Sequence, residues 1–109
     1  MSKYYPLLIA IILETIATLA LKQSHQFTKL WPSILTITGY IGAFYFLSIT
    51  LKQVPLGISY AIWSGIGIVL IALFGFLLYN QKLDVPAVIG ILLIIAGVII
   101  INVFSNTTV

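Results

Sequence analysis

One acid interrupts the apolar run LLIAIILETIATLALK, residues 7–22: Glu14. A carboxyl group in such a setting can bind a proton or a cation, and little else. No lysine or arginine lies within the apolar stretches to pair with it, so a partner has to come from outside the chain. Ala10, Ala17 and Thr18 lie three or four residues from Glu14 and share its helical face. Their small side chains leave room for an approaching group. Either a proton or a cation can neutralise the carboxylate, which brings the two into competition for one site. The plainer alternative is a neutral, hydrogen-bonded packing acid. It is the weaker reading, because a charged group at the centre of a membrane helix costs about 2.5–3.5 kcal/mol and such residues are functional by default.

Aromatic residues elsewhere suit the same chemistry. In YAIWSGIG, residues 60–67, Tyr60 and Trp63 stand three apart on one face, with Ser64 following; Tyr40 and Phe44 stand four apart in an earlier stretch. Ring faces attract a desolvated organic cation by about 2 kcal/mol or more. Rings of this kind also fill helix interfaces or form belts at the membrane surface, and Trp31 and Tyr79, at the ends of apolar stretches, are assigned to belts. Trp63 is placed far from any end, where its indole N–H needs a partner. Gly65 and Gly67 make the same stretch a candidate hinge, with close helix packing as the alternative.

These residues need an apolar scaffold, and the composition supplies one. With 61% hydrophobic and 6% charged residues and a mean hydropathy of +1.22, the chain cannot cover itself with a water-soluble surface. Four stretches, residues 4–21, 32–51, 57–79 and 85–104, each reach the roughly 17–25 residues a helix needs to cross a bilayer core. The expectation is one all-α membrane domain over residues 1–109 with four spanning helices. Its polar joints are short, so successive helices form antiparallel hairpins. The first stretch is read as retained rather than as a signal peptide, because it is long, contains Glu14 and lacks a clear small-residue cleavage site. With no cysteine, disulfides and thiolate chemistry are excluded. No cofactor or metal is expected. The net charge of +3 is dispersed over the joints, which argues against nucleic acid and leaves some lysines to meet lipid headgroups.

Lysine placement also bears on orientation. Lys3 and Lys52 fall on one side of the membrane, and Lys22, Lys29 and Lys82 on the other. Because lysine and arginine asymmetry sets orientation, so small a bias permits insertion both ways and predicts dual topology. In the last helix Gly90 and Gly97 are seven apart, with Leu93, Ile94 and Ile101 on the same stripe. That seam is a surface for self-association. Four helices, one reserved for packing, are too few to enclose a path for a large cation, so an oligomer is expected.

Taken together, LETIATLALK, FTKLWPS, YAIWSGIGIVLI and GILLIIAGVIIIN resemble the small multidrug resistance family over essentially the whole chain, and in particular its quaternary-cation branch. The resemblance implies an antiparallel homodimer in the bacterial cytoplasmic membrane, in which protons moving in are exchanged for lipophilic cations moving out. It implies that Glu14 is the shared proton and substrate site, that Tyr40, Tyr60 and Trp63 line the chamber, and that Gly90 with Gly97 forms the dimer contact. Phe44, Ala10, Thr18 and Ser64 complete the expected lining. Two departures stand out: Ala17 occupies a position often held by glycine, and His25 one that is acidic in some relatives. The guanidinium-exporting branch typically carries a tryptophan soon after the glutamate and WTG in the third helix; here Thr15, Ile16 and Ala17 follow Glu14 and the third helix reads WSG. A polyamine exporter would call for several acids per chain. A proteolipid subunit of a rotary ATPase would be richer in glycine and lack the aromatic set, and a structural or channel-forming subunit would need no titrating acid.

Overall fold

A computed structural model describes residues 2–107. Four long helices account for most of it: α1 (Tyr5–Gln23), α2 (Leu30–Thr50), α3 (Leu56–Tyr79) and α4 (Val85–Phe104), with a 3-10 turn at Ser2–Tyr4 leading into α1. The helices contain 19, 21, 24 and 20 residues, each with an apolar window suited to a membrane. At 1.5 Å per residue they measure roughly 28–36 Å, enough to cross a core of about 30 Å. Two ends differ from the sequence expectation by two residues, the others by one at most. α1 runs two residues further, to Gln23, and α2 starts at Leu30, so Trp31 lies in its first turn.

Local chemistry explains the boundaries. Pro6 and Pro86 sit in the first turns of α1 and α4, where a missing N–H costs nothing. Asp84 caps α4, its Oδ1 accepting the Ala87 N–H at 3.0 Å. That contact absorbs the chain's only acid besides Glu14. α3 ends on Asn80 in the left-handed region (φ 56°), whose N–H donates back to the Phe76 carbonyl at 3.1 Å, the single bond of an αL cap. The α1–α2 joint is tighter still. His25, Gln26 and Phe27 are all left-handed, with φ of 46°, 62° and 65°, a conformation costing on the order of 1–3 kcal/mol for each residue. Buried Ser24 holds the turn together. Its hydroxyl accepts the Phe27 N–H, and its carbonyl accepts those of Thr28 and Lys29.

α1 is the central helix, packing against both α2 and α3. Leu7, Ala10 and Ile11 of α1 meet Leu47 of α2 and Ile62 of α3 in the buried core. Nearer the middle of the α1–α2 contact, a Cβ added to Gly39 would lie 2.8 Å from the Cβ of Ala17. The methyl group that Ala17 carries is thus accommodated by the missing side chain opposite. Thr15, Thr36 and Thr50 are buried too, and each returns its hydroxyl to the carbonyl four residues earlier. Among the described residues no buried side-chain nitrogen or oxygen lacks a partner. α4 stands apart. It leans on α3 and has no buried residue, so nearly all its apolar surface is left for lipid or for another protein.

Candidate functional site

A groove of about 590 Å³ opens between α2 and α3, with α1 at its base. Its size falls within the range of small-molecule sites. α1 contributes Glu14 and Thr18, α2 contributes Tyr40 and Phe44, and α3 contributes Tyr60, Trp63 and Ser64. Further along α3, Gly67, Ile68, Ile71 and Ala72 extend the wall.

Glu14 is half-buried here. Thr18 donates its hydroxyl to Glu14 Oε1 at 2.8 Å, and Thr18 Oγ1 also lies 2.6 Å from Tyr40 Oη. A hydroxyl has one proton to give. With Thr18 donating to Glu14, the second contact must run from Tyr40 to Thr18, which makes a directed chain Tyr40 to Thr18 to Glu14. The other carboxyl oxygen, Oε2, faces α3 where that helix has no side chain: a Cβ on Gly67 would sit 3.6 Å from it. One oxygen is thereby held by the Thr18 hydroxyl, while its twin faces the place where Gly67 lacks a side chain.

Besides Tyr40, three more rings line the groove with Glu14. Trp63 meets Phe44 edge to face, with centroids 5.7 Å apart and planes at 88°, and Tyr60 in the same manner at 5.5 Å and 89°. Such pairs contribute about 0.5–1.5 kcal/mol beyond the area they bury, so Trp63 is held by both neighbours. A half-exposed acid beside these rings, in an otherwise apolar cleft, can hold one lipophilic cation by charge and by ring faces, or one proton.

The model of the Small Multidrug Resistance protein family matches residues 2–94. The chain belongs to the small multidrug resistance family. It is 52% identical to the Multidrug transporter EmrE of Escherichia coli (strain K12) over 99 residues, covering 91% of this chain and 90% of that protein. It is also 51% identical to the Quaternary ammonium compound-resistance protein QacE of Escherichia coli over 102 residues, 94% of this chain and 93% of the other. With the protein QacF of Klebsiella aerogenes, likewise named for quaternary ammonium compound resistance, identity is 48% over 108 residues, 99% of this chain and 98% of the relative.

In this small multidrug resistance protein six of the seven residues expected around Glu14 border the same groove: Trp63, Tyr60, Tyr40, Phe44, Thr18 and Ser64. Ala10 does not. It is 0% exposed, packed in the core with Leu7 and Ile11, because the first turns of α1 are clasped between α2 and α3 before the groove opens. Gly67, Ile68, Ile71 and Ala72 were absent from the expected lining. Their signal lay in helical spacing, since they continue the stripe of Tyr60, Trp63 and Ser64 at steps of three and four.

The glycines divide by role. α3 runs unbroken through Gly65 and Gly67. Gly65 makes room for Val98 of α4, whose Cγ2 would overlap any Cβ there, and Gly67 makes room for Glu14. Both act as points of close approach in this family member. A Cβ on Gly90 or Gly97 would meet nothing within 4 Å, and Leu93 is 68% exposed, so this part of α4 is unoccupied by its own chain. Ile94 instead leans toward α3, its Cγ2 3.7 Å from the Cβ position of Gly65, and Ile101 is half-buried. Tyr79 is more than a belt residue: its hydroxyl donates to the Leu19 carbonyl at 3.1 Å, and Lys22 Nζ rests 5.2 Å from its ring centroid.

Proposed function

We propose that this small multidrug resistance protein is a proton-coupled antiporter that exports hydrophobic aromatic or quaternary ammonium cations across the bacterial cytoplasmic membrane. The observation that carries this reading is the Glu14 carboxyl group within a groove bounded by Tyr40, Phe44, Tyr60 and Trp63. The names of EmrE and QacE, which refer to multidrug transport and quaternary ammonium resistance, agree with it.

The mechanism follows from occupancy. A proton and an organic cation each neutralise the same carboxylate, so binding of one expels the other. If only the neutralised site changes the side it faces, the two fluxes are coupled and the proton gradient sets direction. The working unit is an antiparallel homodimer joined through the Gly90 and Gly97 face of α4, with a Glu14 from each copy acting as a coupled pair. Thr18 and Tyr40 orient the carboxylate, and Trp63, braced by Phe44 and Tyr60, supplies the ring face.

The test is equilibrium binding of tetraphenylphosphonium to the purified protein across pH, for wild type and Glu14→Gln. Affinity is expected to rise with pH in the wild type, as the carboxylate loses its proton, and to vanish in the variant. Binding that is flat with pH, or that survives in Glu14→Gln, would falsify the shared site.

A further inference from the structure

A second site lies on the opposite side of α1. At about 100° per residue, Ile16, Leu19 and Ala20 are turned roughly 140–240° away from Glu14. There they form an apolar crevice of about 400 Å³ with Leu35 of α2 and Leu78 of α3. Ile16, Leu35 and Leu78 are exposed, so the crevice faces the hydrocarbon region. At the helix ends it meets a hollow of about 340 Å³ lined by Lys22, His25 and Lys29. Gln23 and Tyr79 border both.

The basic groups are held in place. Lys22 Nζ is stacked over Tyr79, which is itself tied through its hydroxyl to the Leu19 carbonyl. The left-handed turn folded about buried Ser24 brings His25 and Lys29 back beside Lys22. Three of the chain's six basic side chains converge here. Its two acids are engaged elsewhere, Glu14 in the groove and Asp84 at the start of α4.

We propose that this is a binding site for an anionic membrane phospholipid, its phosphodiester between Lys22 and Lys29 beside His25, and one acyl chain in the crevice against Ile16, Leu19 and Leu35. Clustered positive charge at the membrane surface selects the anionic headgroup. The lipid-facing apolar slot that continues from it selects a lipid over a free anion. The site shares no residue with the groove, so the two readings can fail separately.

The experiment measures the motionally restricted fraction of spin-labelled phosphatidylglycerol and phosphatidylcholine around the full chain in phosphatidylcholine vesicles. The wild type is expected to prefer phosphatidylglycerol about fivefold, the effect of one well-placed lysine at a membrane surface. Lys22→Gln/Lys29→Gln should abolish the preference and Lys22→Arg/Lys29→Arg should keep it. Lys3→Gln/Lys52→Gln, which removes equal charge from the other ends of the helices, should keep it too. Equal affinity for the two lipids in the wild type, or equal loss in both glutamine pairs, overturns the proposal. Abolition of the preference by inorganic phosphate at constant ionic strength also overturns it, since the hollow would then take free phosphate.

Discussion

Val98 of α4 fills the place on α3 where Gly65 has no side chain; a Cβ at Gly65 would overlap the Val98 Cγ2. This contact fixes where a helix with no buried residue leans on the rest of the chain. Gly65→Ala is therefore expected to destabilise the protein by about 1–3 kcal/mol through overpacking. Val98→Ala introduced with it should restore most of that loss. Thermal unfolding in detergent of the two single variants and the pair checks this, and strictly additive losses would show that the two residues do not meet.

Gly90 and Gly97 should behave in the opposite way. A methyl group at either meets nothing in the same chain, so Gly97→Leu ought to leave the helical content unchanged. If the open face of α4 joins two copies, the same change weakens their association, because small residues are what let membrane helices approach closely. Cross-linking yield against protein concentration measures this. A Gly97→Leu protein that associates like the wild type would move the contact to another helix.

The hydroxyl chain from Tyr40 through Thr18 to Glu14 makes a prediction about coupling. Thr18→Val and Tyr40→Phe each remove one hydroxyl and keep the shape. Each is expected to lower cation affinity by roughly three- to tenfold, as for a hydrogen bond worth about 0.5–1.5 kcal/mol. Combined, they should cost less than the sum, because Tyr40 acts through Thr18. Independent effects would mean that the two hydroxyls serve separate purposes.

At Trp63, substitution by alanine removes the ring and both edge-to-face contacts. Affinity for an aromatic cation is expected to fall by at least about tenfold, corresponding to some 1.4 kcal/mol of ring contact and bracing, with Trp63→Phe intermediate. Titration calorimetry with tetraphenylphosphonium gives the comparison. Unchanged affinity would make the ring a packing element only.

Much of this arrangement could be read from the residues. Four spans follow from hydropathy and length, and Glu14 declares itself because an acid in an apolar helix has few reasons to be there. The rings found their places because spacing of three or four puts residues on one helical face. Ala10 shows where that reasoning stops. It shares a face with Glu14, yet a helix face can be groove at one height and core at another, and only packing against Leu47 and Ile62 decides between them. Gly65 makes the same point. A glycine within a spanning helix suits a bend or a close neighbour equally well, and the decision belongs to Val98, some thirty residues away. The reach of Tyr79 to the Leu19 carbonyl and the left-handed turn at His25, Gln26 and Phe27 depend on tertiary context that no local pattern encodes.

The whole groove is built from residues 14 to 72, ahead of the turn at Asn80 and outside α4. If the proposed reading holds, cation recognition and self-association are consequently written in different parts of the gene. Substitutions on the outer surface of α4 would then alter how copies come together without touching the groove, and substitutions lining the groove would retune it without disturbing that outer surface. On that reading, new tastes and new company can be acquired independently.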